Sequence, residues 1–227
     1  NCPKEDGPDL DIGASTVLWS GEGRDYLLVG QKSGDVYALD PEKGGAIVWH
    51  NKVGRGGFLG GVHWGMSANG DSLFVPIADT TITGRFTGPI SPGIHALDPT
   101  SGEVRWYTPS VADCDGKSPI PVCDQGMSAA ITSTDQLVFA GSLDGNLNAY
   151  DSLSGEVVWS FDTFGEFESV SGDTALGGSI ESDGPVLYKG HVLVNSGYQF
   201  GARMPGNALM VFSLQPSADL AQSVADE

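Results

Sequence analysis

The chain has 227 residues, of which 40% are hydrophobic, enough for one or two domains with a packed core. It carries 29 acidic and 11 basic residues, a formal net charge of -18 at pH 7. This charge repels phosphate backbones and anionic lipid surfaces, which makes nucleic acid a poor partner. No apolar stretch approaches the roughly 20 residues of a membrane span.

The composition favours short strands over helices. There are 33 glycines and 13 prolines, and only the last dozen residues have a period that suggests a helix. The sequence therefore predicts an all-β fold. The chain starts at Asn1 with no signal-like segment, so we expect a processed product or a piece of a longer chain.

A repeat organises the chain. An alternating strand ends in Leu39-Asp40 and leads through a polar loop to Trp49, and this arrangement recurs at intervals of about 55 residues. The later copies are Ala96-Leu97-Asp98 with Trp106 and Ala149-Tyr150-Asp151 with Trp159. A weaker fourth copy, GNALMVFSL from Gly206, has Phe212 in place of the aspartate and no tryptophan after it.

Each repeat contains further strand patterns ahead of the aspartate strand. Apolar strands are predicted at 26, 72, 136 and 191, and strands of small and polar residues precede them at 15, 62, 125 and 177. Four strands a period, with the tryptophan strand outermost, are typical of a β-propeller blade. We expect four blades over residues 1–214, the last incomplete, and a frayed acidic tail over 215–227.

The recurrent aspartate and tryptophan have structural roles in this interpretation. An aspartate at a strand end accepts N–H bonds from the turn that follows it. The tryptophan ring fills the gap between neighbouring blades.

The three cysteines indicate an oxidising compartment. Cys114 and Cys123 lie in one proline-rich loop, where a disulfide is favoured over a zinc site because no second Cys or His pair is nearby. A disulfide implies a periplasmic or secreted protein. Cys2 is left over, and its partner is expected upstream of Asn1.

The repeat A-L-D-x-x-[ST]-G-E-V-x-W, as in ALDPTSGEVRW, resembles the tryptophan-docking blade of quinoprotein dehydrogenases, which bind pyrroloquinoline quinone (PQQ). Non-enzymatic propellers such as the outer-membrane assembly lipoprotein share it. The segments GPDLDIGAS, LLVGQKSGDVYALD and GGVHWGMSANGDSLFVPIADT also resemble quinoprotein alcohol dehydrogenases, above all the C-terminal half of the polyvinyl alcohol dehydrogenase group. The resemblance implies about half of an eight-bladed ring.

Three residues follow from the resemblance as candidate cofactor contacts, and a fourth follows from its residue type and loop. Lys32 resembles the basic residue at the quinone oxygens, where an ammonium stabilises the negative charge that arrives with hydride. His63 and Trp64 resemble an Asn-Trp pair at the cofactor, with histidine in place of asparagine. Arg55, in a glycine-rich loop, is a candidate partner for a cofactor carboxylate. The alternatives are a solvated Lys32 and a His63 that is merely packed on an inner strand.

The resemblance implies calcium as well as PQQ, but with ligands outside this chain. Asp9 and Asp11 have the ligand chemistry of calcium, yet the family's calcium ligands and catalytic aspartate lie upstream of the matching stretch. We therefore expect no catalytic residue and no metal ligand within the chain, and we assign both aspartates to turns or to the rim of the site.

Three hypotheses stay open. The first is the C-terminal part of a PQQ- and calcium-dependent alcohol dehydrogenase for secondary or polymeric alcohols such as polyvinyl alcohol, with a cytochrome c as electron acceptor and a second chain or N-terminal half completing the ring. The second is a non-catalytic binding or assembly module. The third is a closed four-bladed ring. Under the first, we expect the chain alone to show no dye-linked alcohol oxidation.

Overall fold

The computed structural model describes residues 4, 7–82, 86–120, 122–197 and 203–213. These residues form antiparallel strands and one short 3-10 helix, Pro41–Lys43. The strands, in chain order, are β1 (Val17–Gly21), β2 (Arg24–Gly30), β3 (Asp35–Asp40), β4 (Ala46–Lys52), β5 (Ser67–Ala68), β6 (Leu73–Ile77), β7 (Gly93–Leu97), β8 (Val104–Pro109), β9 (Thr132–Ser133), β10 (Leu137–Gly141), β11 (Asn146–Asp151), β12 (Val157–Asp162), β13 (Gly165–Glu168), β14 (Thr174–Gly177), β15 (Val186–Tyr188), β16 (His191–Ser196) and β17 (Ala208–Ser213).

The strands pair as consecutive meanders, which confirms the predicted propeller blades. Three sheets have four strands each, β1 to β4, β5 to β8 and β9 to β12, and we call them blades 1, 2 and 3. Blade 4 is the three-stranded sheet β15 to β17, and the hairpin β13–β14 lies between blades 3 and 4 in sequence. The tryptophan strands β4, β8 and β12 each lie at a sheet edge, as expected for outermost strands.

The aspartate at the end of each third strand holds the turn that leads to the tryptophan strand. Asp98 Oδ1 accepts the N–H of Thr100 at 2.8 Å and that of Ser101 at 3.2 Å. Asp40 and Asp151 accept two turn N–H groups each in the same way. These bonds give the aspartate the turn-stabilising role that the sequence predicts.

The repeat tryptophans of blades 1 and 2 dock on the turn of the following blade. Trp49 Nε1 donates to the Pro99 carbonyl at 2.8 Å, and Trp106 Nε1 donates to the Ser152 carbonyl at 3.1 Å. A Cβ added to Gly102 or Gly155 would overlap these two indole rings, and both glycines have positive φ. The glycine of the repeat therefore provides the flat surface on which the preceding blade's tryptophan lies.

The innermost strands are shorter than predicted. Strand structure was expected from residues 62 and 125, yet only Ser67–Ala68 and Thr132–Ser133 pair as strands there. From residue 177 onward the predicted inner strand is also missing, since 178–185 have no strand pairing. These segments instead run across the blade junctions, where their backbone groups bond to the preceding blade.

Burial shows that the four blades form an open arc within the described residues. Apolar clusters fill the junctions of blades 1 and 2, 2 and 3, and 3 and 4. All five residues of β6 are buried, whereas β3 alternates and β17 has only one buried residue. A closed four-bladed ring would bury both faces of every blade, so the described residues do not support that hypothesis.

The predicted disulfide is present: Cys114 and Cys123 are bonded, with Cα atoms 5.9 Å apart. Cys2 and the tail 215–227 lie outside the described residues. Within the described part of the chain, no helix has the length and apolar character needed to cross a membrane.

Candidate functional site

A backbone hydrogen bond of one kind joins each blade to the next near the inner edge. In each case an inner-segment N–H donates to a carbonyl at the end of the preceding blade's second strand: Val62 to Gln31, Met127 to Ile77, and Ile180 to Ser142. The residue after each donor is His63, Ser128 or Glu181. These three side chains therefore occupy equivalent positions in blades 2, 3 and 4.

Lys32 also occupies a repeated position. Its N–H donates to the Asp11 carbonyl, and the equivalent N–H groups in blades 2 and 3 belong to Ala78 and Leu143. Those two residues are uncharged, so the blade architecture does not require an ammonium at this position. The departure of Lys32 from the repeat points to a role outside the fold.

The Lys32 ammonium is held between two aspartates. Its Nζ lies 2.7 Å from Asp11 Oδ1 and 3.3 Å from Asp9 Oδ1, and its side chain is only 11% exposed. Burial alone would lower the pKa of Lys32, but the hydrogen bonds and charges of Asp11 and Asp9 outweigh burial and raise it. The same hydrogen bond from Lys32 lowers the pKa of Asp11. Lys32 is thus a fixed cation, not the solvated lysine of the alternative interpretation.

A buried polar cluster lies next to this pair. His63 Nδ1 is 2.7 Å from Ser128 Oγ, and Ser128 Oγ donates to Glu181 Oε1 at 2.8 Å. The second carboxylate oxygen of Glu181 lies 3.6 Å from Arg203 Nε. The rings of His63 and Trp64 are 4.7 Å apart. We call His63, Ser128, Glu181 and Arg203 the buried cluster; all four are at most 4% exposed.

Gly13 lies between the Lys32 side chain and the His63 backbone. A Cβ at Gly13 would lie 2.8 Å from the His63 carbonyl oxygen and 3.8 Å from Lys32 Cε. Burial, together with the positive charge of Lys32, lowers the pKa of His63 to about 4. His63 is therefore neutral at pH 7. The pKa of Glu181 is raised by burial, with Ser128, Arg203 and Trp64 opposing that rise.

Arg55 lies apart from these contacts. Its guanidinium donates to the carbonyls of Thr80 at 2.9 Å and Gly56 at 3.1 Å, and its backbone N–H donates to Asp79. The structure thus brings Lys32, His63 and Trp64 together, and it gives the Arg55 side chain loop-binding contacts. The backbone of the same loop does reach the site, because the Gly57 N–H donates to the Lys32 carbonyl.

Sequence reasoning missed several members of the site. Asp9 and Asp11 were assigned to turns or to the rim, yet both bind the Lys32 ammonium. Ser128, Glu181 and Arg203 were not singled out at all. The sequence did contain a signal for Ser128 and Glu181. Aligning Gly61-Val62-His63 with Gly126-Met127-Ser128 and Ser179-Ile180-Glu181 places both residues in register with His63.

These residues fit one edge of an anionic quinone cofactor. Lysine has three ammonium donors, and the two aspartates account for two of them within the described residues, which leaves one for a quinone oxygen. The Trp64 indole adds an aromatic surface. The described residues contain no group of three or more His, Cys, Asp or Glu that could hold a metal ion.

Comparison with known proteins shows which family the chain belongs to. A family profile described as outer membrane protein assembly factor BamB, built on the PQQ repeat, matches residues 32–171 and 90–211. The chain belongs to this family of PQQ-repeat propellers. It is also 36% identical, over 94% of its length, to a polyvinylalcohol dehydrogenase of Pseudomonas sp., and it spans about a third (34%) of that relative.

Solved structures agree on the fold. BamB from Moraxella catarrhalis superimposes with a TM-score of 0.54 at 20% identity, over 82% of this chain and 47% of its own. Quinohemoprotein alcohol dehydrogenase from Comamonas testosteroni gives a TM-score of 0.56 at 18% identity, over 82% of this chain and 29% of its own. This PQQ-repeat chain therefore has sequence relatives among alcohol dehydrogenases and shares its fold with both enzymes and an assembly factor.

Proposed function

We propose that this chain forms one side of the active site of a PQQ-dependent alcohol dehydrogenase that oxidises secondary or polymeric alcohols. One observation carries the proposal: Lys32 places a fixed ammonium at a repeat position where blades 2 and 3 have the uncharged Ala78 and Leu143. The similarity to polyvinylalcohol dehydrogenase supports the substrate class.

The chemistry follows from the residues at hand. When bound, the quinone would accept hydride from the alcohol carbon. Lys32 would donate a hydrogen bond to the oxygen on which negative charge develops and would stabilise that charge. Asp9 and Asp11 would hold the Lys32 ammonium in place, and the base that receives the hydroxyl proton would come from outside this chain, as the family resemblance implies. The lowered pKa of Asp11 keeps its carboxylate ionised near neutral pH.

Calcium and the electron acceptor require partners in this proposal. Because the described residues offer no metal cluster, we propose that the calcium ligands come from outside them. A second half of the ring and a cytochrome c would complete the enzyme. The disulfide Cys114–Cys123 supports a periplasmic or secreted location.

A binding or assembly module is the second candidate. The family description and the fold likeness to BamB favour it. Such a module has no need for a quinone, so quinone binding discriminates between the two functions.

The test measures the affinity of the chain for PQQ, with the quenching of its tryptophan fluorescence as the signal. We expect Lys32→Ala to raise the Kd at least about tenfold, since a charge-assisted hydrogen bond of roughly 1.5–3 kcal/mol is lost. The fold should tolerate alanine there, because blade 2 has Ala78 at that position. Lys43→Ala is the matched control. Lys43 also binds an aspartate, Asp40 at 3.0 Å, but its side chain is exposed and it occupies a different position of the repeat from Lys32. A wild-type chain that binds no PQQ, or equal affinities for Lys32→Ala and wild type, would refute the proposal.

A further inference from the structure

We propose that Ser128 and Glu181 are positioning residues that hold His63 as its Nδ1–H tautomer, so that Nε2 serves as a hydrogen-bond acceptor. The ligand group it would accept from is the pyrrole N–H of the quinone, and this last step rests on the proposed function. The tautomer itself rests on the buried cluster alone.

The direction of the hydrogen bonds determines the tautomer. Ser128 Oγ carries one proton, and it donates that proton to Glu181 Oε1 at 2.8 Å. The contact of 2.7 Å between Ser128 Oγ and His63 Nδ1 must then run the other way, with the Nδ1–H as donor. In a neutral imidazole the second nitrogen, Nε2, has no proton and can only accept.

Glu181 must be ionised for this direction to hold. An ionised carboxylate can only accept hydrogen bonds, whereas a protonated one could donate to Ser128 and reverse the chain. The guanidinium of Arg203 lies 3.6 Å from Glu181 Oε2. This buried countercharge favours the ionised carboxylate.

Burying this cluster costs more desolvation free energy than the fold requires. Ser128 and Glu181 are 0% and 2% exposed, and removing a carboxylate and a guanidinium from water is unfavourable unless they are paired. Three blades each contribute one member at the same repeat position, although an apolar side chain there would pack without that cost. In blade 1 the corresponding residue is Gly13, which has no side chain to contribute. A functional need for a fixed His63 orientation explains this desolvation cost.

The inference revises the expected role of His63. From the sequence, the histidine was expected to donate a hydrogen bond to a quinone or carboxylate oxygen. A neutral Nδ1–H imidazole cannot do so through Nε2. It can instead accept from a donor on the ligand, while Lys32, which also contacts Gly13, supplies the donor for a quinone oxygen.

The decisive experiment is a long-range ¹H–¹⁵N spectrum of the imidazole nitrogens in ¹⁵N-histidine-labelled chain near pH 7. The chain has 4 histidines, and the His63 signals are those lost in His63→Gln. We expect a protonated Nδ1 and an unprotonated Nε2 in the wild type. Ser128→Ala should lose this fixed pattern. Ser67→Ala is the matched control, because Ser67 Oγ bonds to Ser133 Oγ across the same two blades and does not contact the cluster.

An Nε2–H tautomer in the wild type, or an unchanged His63 pattern in folded Ser128→Ala, would overturn the proposal. If Ser128→Ala does not fold, the wild-type spectrum still decides the tautomer. The binding step is tested with PQQ: we expect a Kd about tenfold higher for Ser128→Ala and no change for Ser67→Ala. Equal affinities would overturn the binding role of the tautomer. A wild type that binds no PQQ would refute the proposed function, and the spectrum would still decide the tautomer.

Discussion

His63 shows how much one residue depends on its surroundings. It is buried, its ring lies against Trp64, and its pKa is lowered to about 4 by burial and by the charge of Lys32. An unfolded chain restores the ordinary pKa near 6.5, so between these two values the unfolded state binds more protons than the folded state. The free energy of unfolding must therefore fall as the pH falls through this window.

We expect His63 to contribute a loss of about 2 kcal/mol between pH 7 and pH 5, measured by urea unfolding. In His63→Gln this part of the pH dependence should disappear, whatever the absolute stability of the variant. His95, whose pKa burial also lowers, and Glu181, whose raised pKa acts in the opposite direction, remain in both proteins. His191→Gln serves as control, since His191 is only partly buried and lies outside the buried cluster, and it should keep the wild-type slope. An unchanged slope in His63→Gln would contradict the assignment.

The repeated glycine and tryptophan together form the junction between neighbouring blades. The indole rings of Trp49 and Trp106 lie against Gly102 and Gly155, and Trp49 is buried as a result. Trp159 has no such glycine in the described part of blade 4. It packs edge-on against Phe212 with ring centres 5.1 Å apart and stays 36% exposed. Phe212, at the aspartate position of the fourth repeat, thus adds aromatic packing to this junction.

Gly102→Ala should destabilise the chain through this junction. Both Gly102 and Gly44 have positive φ, so alanine is strained at either position, but only at Gly102 does the new methyl group overlap a tryptophan ring. We expect Gly102→Ala to lower the free energy of unfolding by about 1–3 kcal/mol more than Gly44→Ala. Equal losses in urea unfolding would show that the contact with Trp49 has no energetic weight.

The whole molecule has two exposed flanks. Leu18 of blade 1 and Leu209 of blade 4 are 63% and 65% exposed on the outer faces of the arc. Gly45, at the turn position that corresponds to Gly102, has open space where a neighbouring blade's indole would lie. Exposed apolar sheet faces of this kind favour association with another sheet.

We expect the chain alone to self-associate at micromolar concentration, as seen by sedimentation velocity. The pair Leu18→Lys and Leu209→Lys should shift it toward the monomer of 23.6 kDa, because charges oppose burial of both flanks. Leu153→Lys is the control, since Leu153 is equally exposed but lies in the turn after β11. A wild-type chain that sediments as a monomer would contradict this expectation.

Much of the fold could be predicted because the repeat is local. The Asp-turn-Gly-Trp pattern encodes its own hydrogen bonds over a few residues, and three copies in one chain determine both blade and order. The innermost strands could not be predicted in the same way. Their alternation resembles a strand, but bonds to the preceding blade take the backbone groups that would otherwise pair within the sheet.

The site was only partly predictable for a related reason. Lys32, His63 and Trp64 were identified through resemblance, and the structure brings them together. Arg55 was identified through its residue type, and its side chain instead binds the carbonyls of Thr80 and Gly56. The carboxylates of Asp9 and Asp11 were undervalued because nothing in the local sequence shows that Lys32 lies beside them.

The sequence by itself determined the all-β class, the blade repeat, the disulfide Cys114–Cys123 and the roles of the recurrent aspartate and tryptophan, since each depends on residues close in the chain or on exact repetition. Only the tertiary structure decided which side chains meet. His63, Ser128 and Glu181 are 65 and 53 residues apart and become neighbours because successive blades place the same repeat position at one inner edge. Burial at that edge then sets their charges, and burial is a property of the assembled blades.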